Sequence, residues 1–78
     1  MPTVLRVRGY RLFFFSNEGH GPPHIHIESG GSYAKFWLDP VVLVRACGYN
    51  AYELTSLRRL VEEHRDSLER AWHEYFGG

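Results

Sequence analysis

A chain of 78 residues allows one small domain and excludes a second domain, a barrel enzyme or a dinucleotide fold; at this size only about 60% of the unfolded chain's surface is buried on folding, so the architecture must be compact. The single cysteine, Cys47, excludes an intramolecular disulfide framework and a cysteine-based zinc knuckle, and points to a reducing compartment. Nine Lys and Arg against nine Asp and Glu give a net charge of zero.

The elements follow in chain order. Residues 3–7 (TVLRV) and 10–15 (YRLFFF) are β-branched or aromatic runs around Arg8-Gly9, the pattern of a tight hairpin. Residues 16–23 (SNEGHGPP) are a loop of turn formers. Residues 24–28 (HIHIE) alternate as a half-buried strand does, SGGS over 29–32 is a turn, and 33–38 (YAKFWL) is the matching strand. After Pro40, residues 41–46 (VVLVRA) predict a short buried strand or a crossover into the helical part, with Cys47 as a small buried filler.

Asn50 followed by Glu53 is a capping box. Leu54, Leu57, Val61, His64, Leu68, Trp72 and Tyr75 then recur at steps of three and four, one helical face. A continuous helix over 51–76 would be about 39 Å long, whereas strands of this length span only about 17–20 Å. The mismatch, and a second capping-box pattern at Asp66 and Glu69, favour two helices, 51–64 and 67–76, broken near Arg65. Trp72, Tyr75 and Phe76 are expected to pack on the sheet. The pairs Arg58–Glu62, Arg59–Glu63 and Arg65–Glu69 read as a solvated helix face.

The expectation is one α+β domain over 1–78, β-rich over 3–46 and helical over 51–76. It is an antiparallel sheet of four to five strands, built from two hairpins, with one or two C-terminal helices on one face. No apolar run reaches the roughly 18–20 residues of a membrane span. The start MPTVLRVRGYR lacks a signal peptide's apolar stretch. The expected location is therefore the cytoplasm, without membrane contact.

Zero net charge hides an asymmetry. Residues 1–50 carry five cations (Arg6, Arg8, Arg11, Lys35, Arg45) against three acids (Glu18, Glu28, Asp39), a net +2. Residues 51–78 carry four arginines against six acids, a net −2. Strand alternation then decides which side chains share a face. A two-residue turn at Arg8-Gly9 opposes Arg6 to Arg11 and Val4 to Phe13. A turn at SGGS opposes His24 to Trp37, His26 to Lys35 and Glu28 to Tyr33. If the helices cover the aliphatic face, Arg6, Arg11, Phe13, His24, His26, Lys35 and Trp37 gather on the uncovered one. Like charges directly opposite each other cost stability, so this face carries a cost that selection for stability alone would avoid.

His24 and His26 point the same way and carry the most suggestive chemistry. Imidazoles titrate near neutrality, so one can accept a proton while another donates. With Lys35 opposite as a phosphate clamp, they form a candidate metal-independent RNA-cleaving set. The ordinary alternative is a polar sheet face with histidines of no special role. The same pair supplies two ligands for zinc, which needs at least one more from Glu28, His20 or Glu18; no cofactor is predicted. The loop bearing Asn17 and Glu18 leads into the histidine strand, where it serves either a site or simply the strand's entry angle. Tyr33, Trp37, Phe13 and Phe15 are candidates for stacking single-stranded bases, for a protein interface, or for core buried against a homodimer mate.

The start MPTVLRVRGYRLFFFSNEG, the segments PPHIHI and YAKFWLDP, and the ending AWHEYF resemble the small prokaryotic proteins grouped as domain of unknown function 4160. Motif residues of that family fall here at Asn17, Glu18, Pro22, Pro23, His24, His26, Lys35 and Trp37. The family has no settled activity. The resemblance implies gene pairing with a small neighbour-encoded, antitoxin-like protein of another family, domain of unknown function 2442. It also implies a module of toxin–antitoxin type and a target that is a partner protein or RNA. The alternatives are a non-enzymatic interaction or dimerisation module and a metal-binding protein.

Overall fold

A computed structural model describes residues 3–15 and 21–77. The strands are β1 (Thr3–Val7), β2 (Tyr10–Phe13), β3 (His24–Ser29), β4 (Ser32–Leu38) and β5 (Val41–Cys47), followed by helices α1 (Ala51–Glu63) and α2 (Arg65–Phe76). The five strands form one antiparallel sheet in sequence order, β1-β2-β3-β4-β5. The protein is thus an α+β fold with both helices on one side of the sheet. Among the described residues no helix is long and apolar enough to cross a membrane.

Local chemistry explains the meander. Arg8 and Gly9 both have positive φ, 52° and 82°, as the two central residues of a tight hairpin must, and Gly30-Gly31 repeat this at 51° and 85°. At Gly30-Gly31 no Cβ opposes the conformation, whereas Arg8 adopts it against its own side chain. Asp39-Pro40 joins β4 to β5.

Leu12, Ile25, Ile27, Ala34, Phe36 and Leu38 point from the sheet into the layer formed by Leu57, Leu60, Val61, Leu68 and Trp72. Five of these six sheet residues are wholly inaccessible and Phe36 nearly so. Each large side chain buried in this way contributes about 1.5–3 kcal/mol. The α1 N-terminus forms the expected capping box. The Asn50 side chain accepts from the Glu53 N–H at 2.8 Å, and Glu53 accepts from the Asn50 N–H at 2.9 Å.

The helices break one residue earlier than expected, at His64, and the Asp66–Glu69 capping box does not form. Asp66 lies inside the first turn of α2, which starts without a side-chain cap. The His64 backbone N–H reaches both Leu60 O and Val61 O at 3.2 Å, and its Nδ1 donates to Leu60 O at 3.0 Å. The imidazole therefore closes α1 while the His64 carbonyl starts α2 by accepting from Leu68 N at 2.9 Å. The bend keeps the longest dimension at 34 Å, below the length of a straight helix over these residues.

Four further expectations are corrected. β5 is not buried: it is the edge strand, and Val42, Leu43 and Val44 are 45%, 39% and 41% exposed. Cys47 at its end is exposed too. Tyr75 stays half exposed, while Trp72 alone of the three C-terminal aromatics is fully buried. Val4 does not oppose Phe13. A bulge between Thr3 and Leu5 makes Thr3 the partner of Phe13, and Val4 packs against the core instead.

Candidate nucleic-acid interface

The face opposite the helices is organised in rows that run across the strands. One row is Arg6–Arg11–Glu28–Tyr33–Cys47, and the next is Thr3–Phe13–His26–Lys35–Arg45. A third pairs His24 with Trp37 and Val42. Neighbouring strands lie about 4.7–4.9 Å apart, so successive side chains of a row are contact neighbours. The expected oppositions Arg6–Arg11, His24–Trp37, His26–Lys35 and Glu28–Tyr33 are all present.

This face is less open than alternation suggests. His24, His26 and Phe13 are 4%, 2% and 2% exposed. They are covered by aromatic packing that climbs from the core around the end of β2. Phe14 meets Trp72 at 5.2 Å between ring centroids, Trp72 meets His24 at 4.8 Å, and His24 meets His26 edge to face at 5.0 Å. His26 stacks on Phe13 at 5.4 Å and meets Phe15 at 4.5 Å. The β2–β3 pairing stops at Phe13–His26, and beyond it Trp72 of α2 packs against His24.

The ring nitrogens have defined partners. His24 Nδ1 donates to the Pro22 carbonyl at 3.2 Å, and His26 Nδ1 lies 2.7 Å from the Tyr33 hydroxyl. His24, His26 and Tyr33 each make further interactions besides these. Among the described residues no three of His, Cys, Asp and Glu gather to hold a metal ion. Asn17, Glu18 and His20 lie outside the described residues.

The cations divide into two kinds. Arg11 is committed: it donates to Glu28 at 2.8 Å and to Thr3 Oγ1 at 2.8 Å, with its guanidinium 4.4 Å from the Phe13 ring. Glu28 thus relieves the Arg6–Arg11 repulsion, and Arg6 stays exposed. Lys35 and Arg45 stand directly opposite each other and, among the described residues, enter no ion pair. Lys35 rests 5.2 Å from the half-buried Trp37 ring. With Phe15, His26, Tyr33 and Val44, these two cations line a depression of about 420 Å³.

Arg45 was not among the expected site residues. A two-residue turn at Asp39-Pro40 would put Val44 opposite Lys35 and turn Arg45 to the helix side. The structure follows that register only as far as Phe36–Leu43. It then inserts Val44 as a bulge, which brings Arg45 opposite Lys35. Only the sheet register carries this signal.

The fold and this face define a two-layer α+β domain with an aromatic, cationic sheet surface. Residues 9–73 match the family model described as Domain of unknown function (DUF4160), and the chain belongs to that family. No curated protein and no solved structure matches it.

Proposed function

We propose that the protein binds RNA through the phosphate backbone on the His26–Lys35–Arg45 row, as the toxin-like member of a two-protein cytoplasmic module. The observation that carries this reading is the Lys35–Arg45 pair. Two cations face each other across neighbouring strands and, among the described residues, enter no ion pair, beside a histidine–tyrosine hydrogen bond on the floor of one depression. Like-charge cross-strand pairs lower stability, and a bound phosphate reverses that cost through charge-assisted hydrogen bonds. Exposed Arg6 extends the cationic surface towards β1.

The geometry favours binding over two-histidine cleavage. His24 is enclosed by Trp37, Trp72 and His26 with Nδ1 on a carbonyl, so it acts by holding His26 in place. Stacking of bases falls to Phe15, Tyr33 and Trp37, which are only partly buried, since Phe13 is nearly inaccessible.

Two experiments test the proposal. Anisotropy titration of a labelled single-stranded RNA should show binding that is weakened at least about tenfold in Lys35→Ala/Arg45→Ala, the loss of one or two charged hydrogen bonds. Expression of the protein with and without its genomic neighbour should slow growth only in the neighbour's absence. Equal RNA binding by both proteins, with equal growth in both strains, would sink the reading.

A further inference from the structure

We infer that the free edge of β5 captures an extended, acidic–apolar segment of a partner protein, which adds a sixth strand to the sheet. β5 is seven residues long and ends the strand order. An edge strand presents unpaired main-chain donors and acceptors, and proteins usually blunt such edges with charges, proline, a bulge or a short strand. β1, the opposite edge, is five residues long with Arg6 exposed. β5 carries Arg45 and the bulge at Val44, yet it also exposes three consecutive apolar residues, Val42, Leu43 and Val44. Val42 lies opposite Trp37 on the histidine face and Leu43 opposite Phe36 on the helix face, so exposure of both means that neither face is covered along this edge.

Charge decides the occupant. On the histidine face the edge is flanked by Lys35 and Arg45. On the helix face, a groove of about 260 Å³ runs between β5 and α1, lined by Phe36, Val41, Leu43 and Leu54 with Arg58 at its side. Among the described residues, Lys35, Arg45 and Arg58 take part in no ion pair. Two copies of this chain joined at β5 would crowd two sets of these cations around one seam. An acidic–apolar strand meets the surface from both sides: carboxylates facing Arg45 and Lys35, apolar side chains in the groove, and main-chain hydrogen bonds along β5. RNA satisfies the cations but has no use for the apolar groove or the strand edge. The captured strand and RNA share Lys35 and Arg45, so the partner segment displaces RNA from the row.

The probes are two labelled decapeptides, one alternating glutamate with valine and one alternating lysine with valine, titrated by anisotropy in the absence of RNA. The glutamate peptide is expected to bind at least about tenfold more tightly than the lysine peptide, and Arg45→Glu to reverse that order. Amide hydrogen exchange should slow at Val42–Arg45 when the glutamate peptide is bound. Val44→Pro, checked for folding by its thermal melt, should abolish binding because it disrupts the edge. Equal binding of both peptides overturns the inference. So does binding that leaves β5 exchange unchanged, or a β5-dependent homodimer in light scattering that excludes the peptide. These titrations contain no RNA, so a failed RNA-binding proposal leaves their outcome intact, and their failure leaves the RNA titration to be judged alone.

Discussion

Arg45→Thr separates a binding role for the cationic row from a structural one, because the two effects have opposite signs. Threonine keeps a good strand former at the position and removes the charge opposite Lys35. Relief of a like-charge cross-strand pair is worth roughly 0.2–1 kcal/mol, and Arg45 has no ion pair among the described residues to lose. A gain of about 0.5 kcal/mol raises Tm by about 2–4 °C in a domain of this size. RNA affinity should fall in the same variant. Each phosphate contact contributes about 0.7 to the slope of log K against log salt for single strands. Losing one contact therefore flattens the slope by about 0.7, and the gap between the two proteins should close by about 2.6-fold from about 50 to 200 mM salt. Thermal melts and anisotropy titrations at several salt concentrations give both numbers on one protein. A lower Tm together with an unchanged salt slope would refute the reasoning, since Arg45 would then be stabilising the sheet and contacting no phosphate.

Three further outcomes follow from individual contacts. Asn50→Ala removes the side-chain half of the α1 capping box and should cost about 1 kcal/mol, read as a Tm lowered by about 4–8 °C. Tyr33→Phe strips His26 Nδ1 of a 2.7 Å partner in a nearly inaccessible site and should cost roughly 1–3 kcal/mol in a urea melt. Added to His26→Leu it should cost much less, the non-additivity expected of a contacting pair. Tyr49, whose hydroxyl bonds to Ser29 at 2.8 Å, has its pKa raised above 10.0, mainly by burial and further by Tyr10, Glu53 and Glu28, against the lowering effect of Ser29. The native state then holds this proton more tightly than the unfolded chain. The associated stability is present below the unfolded value of 10.0 and is lost as pH rises through the higher folded value. Tyr49→Phe should flatten the decline of Tm above about pH 10.

Much of the fold was legible in the residues because it rests on local signals. Period-two alternation over HIHIE and YAKFWL, glycines at the hairpin turns and the Asn50–Glu53 box each act within a few residues. The helix break was legible through length, yet its position was not: His64 bonds to Leu60 one turn back, a geometry that an Asp66–Glu69 pattern does not reveal. The oppositions within each hairpin can be counted from the turns, so His26 with Lys35 and Arg6 with Arg11 follow from the turn positions alone.

The sequence by itself thus determined the α+β class, the hairpin pairings and a cationic half of the chain set against an acidic one. Tertiary structure alone decided how accessible that half is. Trp72, forty-eight residues away from His24 along the chain, packs against it at the end of β3, where the β2 pairing has stopped at Phe13–His26. It also decided which cation faces Lys35. One extra residue at Val44 inverts the remainder of β5, turning Arg45 from the helix side to the histidine side. A bulge is set by how two strands settle against each other and the core, so its position is a property of the packed sheet.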